Sequence, residues 1–219
     1  MSIREMSRQN ILNTDIYCLT AEKFSLGRSN IAVVQTMLDN GIKLIQYREK
    51  EKKMGAKLEE CLELRKMTRE AGASFVINDD IDLAMLVEAD GVHIGQQDLP
   101  VEAVRKLVGE NMVIGLSTHK PEEALDAVRR GVDYIGVGPI FRTFTKEDVC
   151  DPVGFEYLEY VTKNVDIPFV AIGGIKEHNV AEVVRCGASC IALITEIVEA
   201  EDIGKKINAL REAMQSAKE

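Results

Sequence analysis

The chain has 219 residues, 46% of them hydrophobic and 29% charged, and a formal net charge of −9 at pH 7. This length holds one large domain or two small ones and can bury a sizeable core. The acidic balance excludes the basic footprint of a nucleic-acid binder, no apolar run reaches the ~18 residues of a membrane span, and the N-terminus MSIREMSRQNILNTD lacks the apolar stretch of a secretory signal.

Residues 1–14 are polar and weakly patterned, a leading segment ahead of a catalytic domain expected over 15–219. Short β-branched or apolar runs follow at 16–20, 44–49, 74–78, 91–95, 112–117, 134–138, 169–173 and 190–195. Between them lie stretches with helical spacing, at 57–64, 101–108, 121–130 with Pro121 at a helix start, and 178–186, with a last one near 203–217. Strand and helix alternating to a count of eight predict a single-domain (β/α)8 TIM barrel; a doubly wound open α/β sheet is the rival. Gly41, Gly72, Gly91, Gly131 and Gly187 precede or begin strands, as a helix C-cap before the next strand requires. The five cysteines (Cys18, Cys61, Cys150, Cys186, Cys190) have no CxxC spacing and mostly sit in apolar segments. That pattern reads as buried thiols in a reducing cytoplasm.

In such a barrel the ligand site lies at the C-terminal ends of the strands. The second run ends in Gln46-Tyr47-Arg48-Glu49-Lys50, and alternation puts Gln46, Arg48 and Lys50 on one side with Tyr47 and Glu49 on the other. An inward Arg is costly unless an anion meets it, and an Arg–Lys pair at a strand end suits phosphate or carboxylate. A solvated charge mix on a surface strand is the bland alternative. The third run ends in Asn78-Asp79-Asp80, the fourth in Gly95-Gln96-Gln97-Asp98, and the fifth in Ser117-Thr118-His119. The sixth runs into Phe141-Arg142-Thr143-Phe144-Thr145-Lys146, the seventh ends in Gly173-Gly174 and the eighth in Ile194-Thr195.

Three subsites follow, each with a plainer alternative. Asp79 and Asp98 end adjacent strands and suit one Mg2+ completed by water and phosphate oxygens, or they cap the helices starting near Ile81 and Leu99. Gly173-Gly174 with Ile194-Thr195 fall where many barrels bind a phosphomonoester through backbone N–H groups, or the glycines form only a tight turn. The loop 139–152 exceeds the usual length and suits a lid in which Lys146 closes over phosphate, or 146–148 is a solvated charge run. This inventory fits a carbon–heteroatom transfer with pyrophosphate as leaving group, its charge met by Arg48, Lys50, Lys146 and a metal. No Ser–His–Asp arrangement is evident. His93 reads as a core histidine, His178 sits at a helix start, and His119 is the rim histidine.

QYREK at 46–50, ND at 78–79, HIGQQD at 93–98, GLS at 115–117, GPIFRTFTK at 138–146 and IGGI at 172–175, in that order, resemble the thiamine-phosphate synthase family over nearly the whole chain. That family joins a hydroxymethylpyrimidine diphosphate to a thiazole phosphate by dissociative loss of pyrophosphate, with one Mg2+ per subunit. The resemblance implies that Gln46, Tyr47, Arg48, Glu49, Lys50, Asn78, Ser117 and Lys146 hold the pyrimidine diphosphate. Of these, Arg48, Lys50, Ser117 and Lys146 would be catalytic. It implies Asp79 and Asp98 as metal ligands, and Thr143, Phe144, Thr145, Gly174, Ile194 and Thr195 around the thiazole phosphate. The partners implied are small phosphorylated molecules, with no nucleic acid and no membrane; a homo-oligomer is compatible but not specified.

Two positions depart from the family pattern. Thr195 is followed by Glu196, a carboxylate beside the expected phosphate, and Arg142 stands where a small or acidic residue is common. The alternatives are a thiazole tautomerase on the same barrel, with a histidine near His119 but without the GPIF-x-T-x-TK loop, and a non-catalytic barrel that binds thiamine precursors as a regulator.

Overall fold

The computed structural model of the chain describes residues 4, 5, 9, 13–145 and 151–218. Eight parallel strands close into a barrel in chain order: β1 (Ile16–Leu19), β2 (Leu44–Tyr47), β3 (Ser74–Asn78), β4 (Gly91–Ile94), β5 (Val113–Thr118), β6 (Tyr134–Val137), β7 (Phe169–Ile172) and β8 (Ile191–Leu193). Pairing of Ile16 with Ile191 shuts the ring, which eliminates the open-sheet alternative. Around it run α1 (Asn30–Asp39), α2 (Met54–Glu70), α3 (Ile81–Leu86), α4 (Val101–Val108), α5 (Pro121–Arg129), α6 (Gly154–Asn164), α7 (Val180–Arg185), a short α8 (Thr195–Val198) and α9 (Ile203–Ser216).

Alternation along each strand divides the core in two. One set, including Ile45, Phe75, Ile77, Ile114 and Ile135, packs outward against the helices. The other, including Tyr17, Leu44, Val76, Val113, Tyr134 and Val170, fills the barrel interior. The interior is therefore a packed plug whose upper layer becomes the floor of the site.

Four expected hand-over glycines take left-handed backbone, with φ of +74° at Gly41, +62° at Gly72, +72° at Gly131 and +100° at Gly187. Gly91 does not; it opens β4, where a Cβ would lie 3.0 Å from the Val113 carbonyl, and Glu88 (φ +51°) makes the left-handed turn after α3. Four helices, α1, α3, α6 and α8, lie outside the segments that spacing picks out, and the two longer ones show why. In α1 the buried positions Val33, Val34, Met37 and Leu38 keep the helical period, but Ile31 and Ala32 fill the gaps and give a run that looks like a strand. In α6 the aromatic and β-branched content (Phe155, Tyr157, Tyr160, Val161) weakens the local helix signal.

Candidate active site

The C-terminal end of β2 supplies the first part of the site. Gln46 points into the barrel, where its Nε2 donates to Tyr17 Oη at 2.8 Å. Just beyond the strand, Arg48 is only 8% exposed. Its backbone N–H donates to Thr20 Oγ1 at 2.9 Å, which fixes the chain, while its Nε is buried with no hydrogen-bond partner. Burial pulls the guanidinium below the usual arginine range, and the nearby carboxylates of Asp79 and Glu49 only oppose this. A buried cation left in this condition favours the arrival of an anion. Lys50 Nζ forms an ion pair with Asp79 Oδ2.

Two residues expected on the diphosphate have other occupations. The alternation that turns Gln46 inward turns Tyr47 outward, where its Oη donates to Glu60 Oε2 of α2 at 2.6 Å. Glu49 Oε1 accepts the Glu22 backbone N–H and the Asn30 side-chain N–H, both at 2.9 Å. Glu49 thus shapes the loop after β1. Tyr47 belongs to the helical layer.

Asp79 follows β3 with a left-handed backbone, φ +60°, tolerated by Asp better than by most side chains. Asp98 Oδ2 accepts the Gly95 N–H at 2.6 Å and closes the loop after β4. Neither is a helix cap: Asp80 precedes α3 and pairs with Lys57 Nζ at 2.6 Å, and Pro100 precedes α4. Both aspartates border one cavity of about 1760 Å3 at the barrel mouth, together with Arg48, Lys50, Asn78 and Ser117. Among the described residues no group of three His, Cys, Asp or Glu side chains converges there. A hard cation held by this pair would therefore need water or ligand oxygens to complete its shell.

The cavity floor is a hydrogen-bonded chain across the interior. Tyr17 Oη lies 3.1 Å from Tyr134 Oη, Tyr134 Oη lies 2.9 Å from His93 Nδ1, and His93 Nε2 lies 2.9 Å from Ser117 Oγ. Gly115 makes this possible, since a Cβ there would sit 2.1 Å from the Tyr134 ring.

The far half is built differently. Beyond β6, the Ile140 N–H donates to the Ile172 carbonyl and the Phe141 N–H to the Gly173 carbonyl, both at 2.9 Å. The loop after β6 is thereby laid across the Gly173-Gly174 turn. A Cβ on Gly173 would come within 2.4 Å of Pro139, and one on Gly174 within 2.6 Å of the Arg142 carbonyl. Thr143 Oγ1 and Thr145 Oγ1 lie 3.2 Å apart, and exposed Phe144 carries the Arg142 guanidinium 5.4 Å from its ring centre. Lys146 lies outside the described residues. Thr195 opens α8, and Glu196 beside it sits 3.2 Å from Lys206 Nζ and 3.9 Å from Lys176 Nζ. Its charge is therefore answered by two lysines, which reduces its conflict with a phosphate.

Several mouth residues had no binding role assigned from the sequence. His119 Nδ1 donates to the Gly138 carbonyl at 2.6 Å, Gln96 Nε2 donates to the Ser117 carbonyl at 2.7 Å, and Lys176 borders the cavity near Glu196. Tyr17, His93 and Tyr134 occupy inward positions on β1, β4 and β6, and strand alternation is the signal that could have found them. The four described cysteines are free thiols, and Cys18, Cys61 and Cys190 are buried. No helix among the described residues is long and apolar enough to cross a membrane.

A family model described as thiamine monophosphate synthase matches residues 16–197. Thiamine-phosphate synthase of Pelotomaculum thermopropionicum is 63% identical over 217 residues, covering 99% of each chain. Its counterpart in Lawsonia intracellularis is 51% identical over 203 residues, covering 93% of this chain and 94% of that one. Among solved structures, thiamine phosphate pyrophosphorylase from Pyrococcus furiosus superposes with a TM-score of 0.85 at 34% identity, covering 96% of this chain and 98% of the other.

Proposed function

The chain belongs to the thiamine monophosphate synthase family, a family of transferases, and from that premise we propose that it joins 4-amino-2-methyl-5-hydroxymethylpyrimidine diphosphate to a thiazole phosphate and releases pyrophosphate. The observation that carries this reading is Arg48, a buried guanidinium without an ion-pair partner among the described residues at the edge of the barrel-mouth cavity. A diphosphate would satisfy its free donors, and a leaving diphosphate gains the most negative charge as the carbon–oxygen bond breaks. Fixed donors aimed at that position lower the barrier without reorganising.

Lys50 would shift from Asp79 to the same group. Asn78 and Ser117 would orient the pyrimidine so that its amino nitrogen can push electrons toward the methylene carbon as the diphosphate leaves it. Asp79 and Asp98, two carboxylates from adjacent strand ends on one cavity, would hold a Mg2+ as hard oxygen donors. When bound, the ion supplies further neutralisation of the leaving group. The thiazole phosphate would lie over Gly174, between the Thr143–Thr145 turn and the start of α8, with the thiazole nitrogen facing the methylene carbon. No side chain is needed as nucleophile or general base.

The test is a direct assay of the purified chain with both substrates and Mg2+. Pyrophosphate and thiamine phosphate should appear in equal amounts. Isomerisation of the thiazole alone, without pyrophosphate, would favour the tautomerase. Binding of both molecules without turnover would favour the regulator.

A further inference from the structure

The floor of the cavity contains more order than binding alone requires. Gln46, Tyr17, Tyr134, His93 and Ser117 form an unbroken series of contacts of 2.8, 3.1, 2.9 and 2.9 Å, joining two mouth residues on opposite sides of the barrel. Each phenol has one proton to give, and burial raises the pKa of both, which keeps both protonated. The donors can then be counted in order. Gln46 Nε2–H donates to Tyr17, so Tyr17 donates to Tyr134, and Tyr134 donates to His93 Nδ1. His93 is left with its proton on Nε2, which donates to the Ser117 oxygen. The Ser117 hydroxyl proton remains for the mouth.

The opposite order is self-consistent only if the Gln46 amide turns over. Otherwise the Tyr17 hydroxyl, at 2% exposure, is left without an acceptor. The two ends therefore change together: when Ser117 offers a donor, Gln46 offers its carbonyl, and when Ser117 offers an acceptor, Gln46 offers its amide N–H.

We propose that His93, held through Tyr134 and Tyr17, is a positioning residue that keeps the Ser117 hydroxyl as a hydrogen-bond donor toward the cavity while Gln46 presents its carbonyl. A ligand matched to this pair carries an acceptor nitrogen at one edge and an N–H donor at another, as an aminopyrimidine does. The assignment of that ligand rests on the proposed function; the proton order does not.

The experiment is nitrogen NMR of the histidine side chains in the ligand-free protein. The chain has three histidines, and His119, whose Nδ1 must carry the proton to reach the Gly138 carbonyl, is an internal reference of opposite tautomer. His93 should be protonated on Nε2 and not on Nδ1. Tyr17→Phe should leave that tautomer in place, because Tyr134 then has only His93 to donate to. Tyr134→Phe should scramble it and, where the protein turns over, lower kcat about tenfold, the cost of one misdirected hydrogen bond.

His93 protonated on Nδ1 in the wild-type protein would overturn the proposal. So would a Tyr134→Phe protein with an unchanged tautomer; if that variant does not fold, the wild-type and Tyr17→Phe spectra still decide. Absence of pyrophosphate release would count against the proposed function but leave the tautomer result standing.

Discussion

The two halves of the barrel mouth are made from different materials. At the ends of β2 to β5 the site consists of side chains: Arg48, the Lys50–Asp79 pair, Asp98, and Ser117 above its hydrogen-bonded floor. At the ends of β6 to β8 it consists largely of backbone, with one loop crossing so close to Gly173 and Gly174 that neither can carry a Cβ. A half made of side chains is damaged by removing atoms. A half made of close backbone approach is damaged by adding them. The proposed substrates fit this division, since a diphosphate that leaves needs mobile and cationic partners, whereas a phosphate that only anchors is served by fixed N–H groups.

The largest effect is expected on the side-chain half. Arg48→Ala should lower kcat/KM by about 10²- to 10³-fold, the scale of losing one strong preorganised donor. Stability should hold or rise, because the lost group is a buried cation with no ion-pair partner among the described residues and its Nε has no hydrogen bond. Arg48→Lys should recover only part of the rate, since an ammonium cannot reproduce the planar fork. Steady-state kinetics beside a thermal melt distinguishes this from a packing role, for which the melting temperature would fall and the rate would remain.

The backbone half should respond to an addition. Gly174→Ala places a methyl group 2.6 Å from the Arg142 carbonyl on a residue with φ of +64°, a conformation that costs roughly 1–2 kcal/mol for a residue with a Cβ. The crossing loop has to shift, so KM for the thiazole phosphate should rise about tenfold or more while KM for the pyrimidine diphosphate changes little. Equal changes in both constants would mean that the halves are one mechanical unit, and the contrast between them would disappear.

What the sequence disclosed follows the same division. All eight strands lie where short apolar runs predict them, and their polar endings converge on one cavity, because a parallel strand buried on both faces reads as a continuous apolar run that stops where the site begins. The motif glycines were visible, but the reason for them was not: the loop after β6 reaches Gly173 and Gly174 only in three dimensions. Gly115 is a similar case, its role set by a tyrosine on the neighbouring strand. His93 read as a core residue because its inward position hid the partners at both ring nitrogens. The pairing of Glu196 with Lys206 depends on α9 folding back beside α8, which no local pattern announces.

Tyr47 marks how far the side-chain half extends. It lies in the most recognisable motif of the chain, yet its hydroxyl donates to Glu60, which also takes Lys52 Nζ at 2.8 Å and Asn30 Nδ2 at 3.1 Å. Burial alone would raise the Glu60 pKa, but the hydrogen bonds from Lys52, Tyr47 and Asn30 outweigh it and hold the carboxyl below the usual range. A carboxyl whose pKa is lowered by folding stabilises the fold above its unfolded pKa, about 4.3, and that contribution is lost as pH falls through the lower folded value. Tyr47→Phe removes one donor from an ionised, half-buried acceptor. It should cost about 1–2 kcal/mol at pH 7, seen as a melting temperature lower by roughly 3–6 °C. The gap from wild type should narrow below about pH 4, where Glu60 is protonated in the variant and then in the wild type. Activity at neutral pH should stay within about twofold, since outward-facing residues of β2 hold the helices in place. A hundredfold loss of rate with an unchanged melt would instead extend the reacting surface through the wall of the barrel.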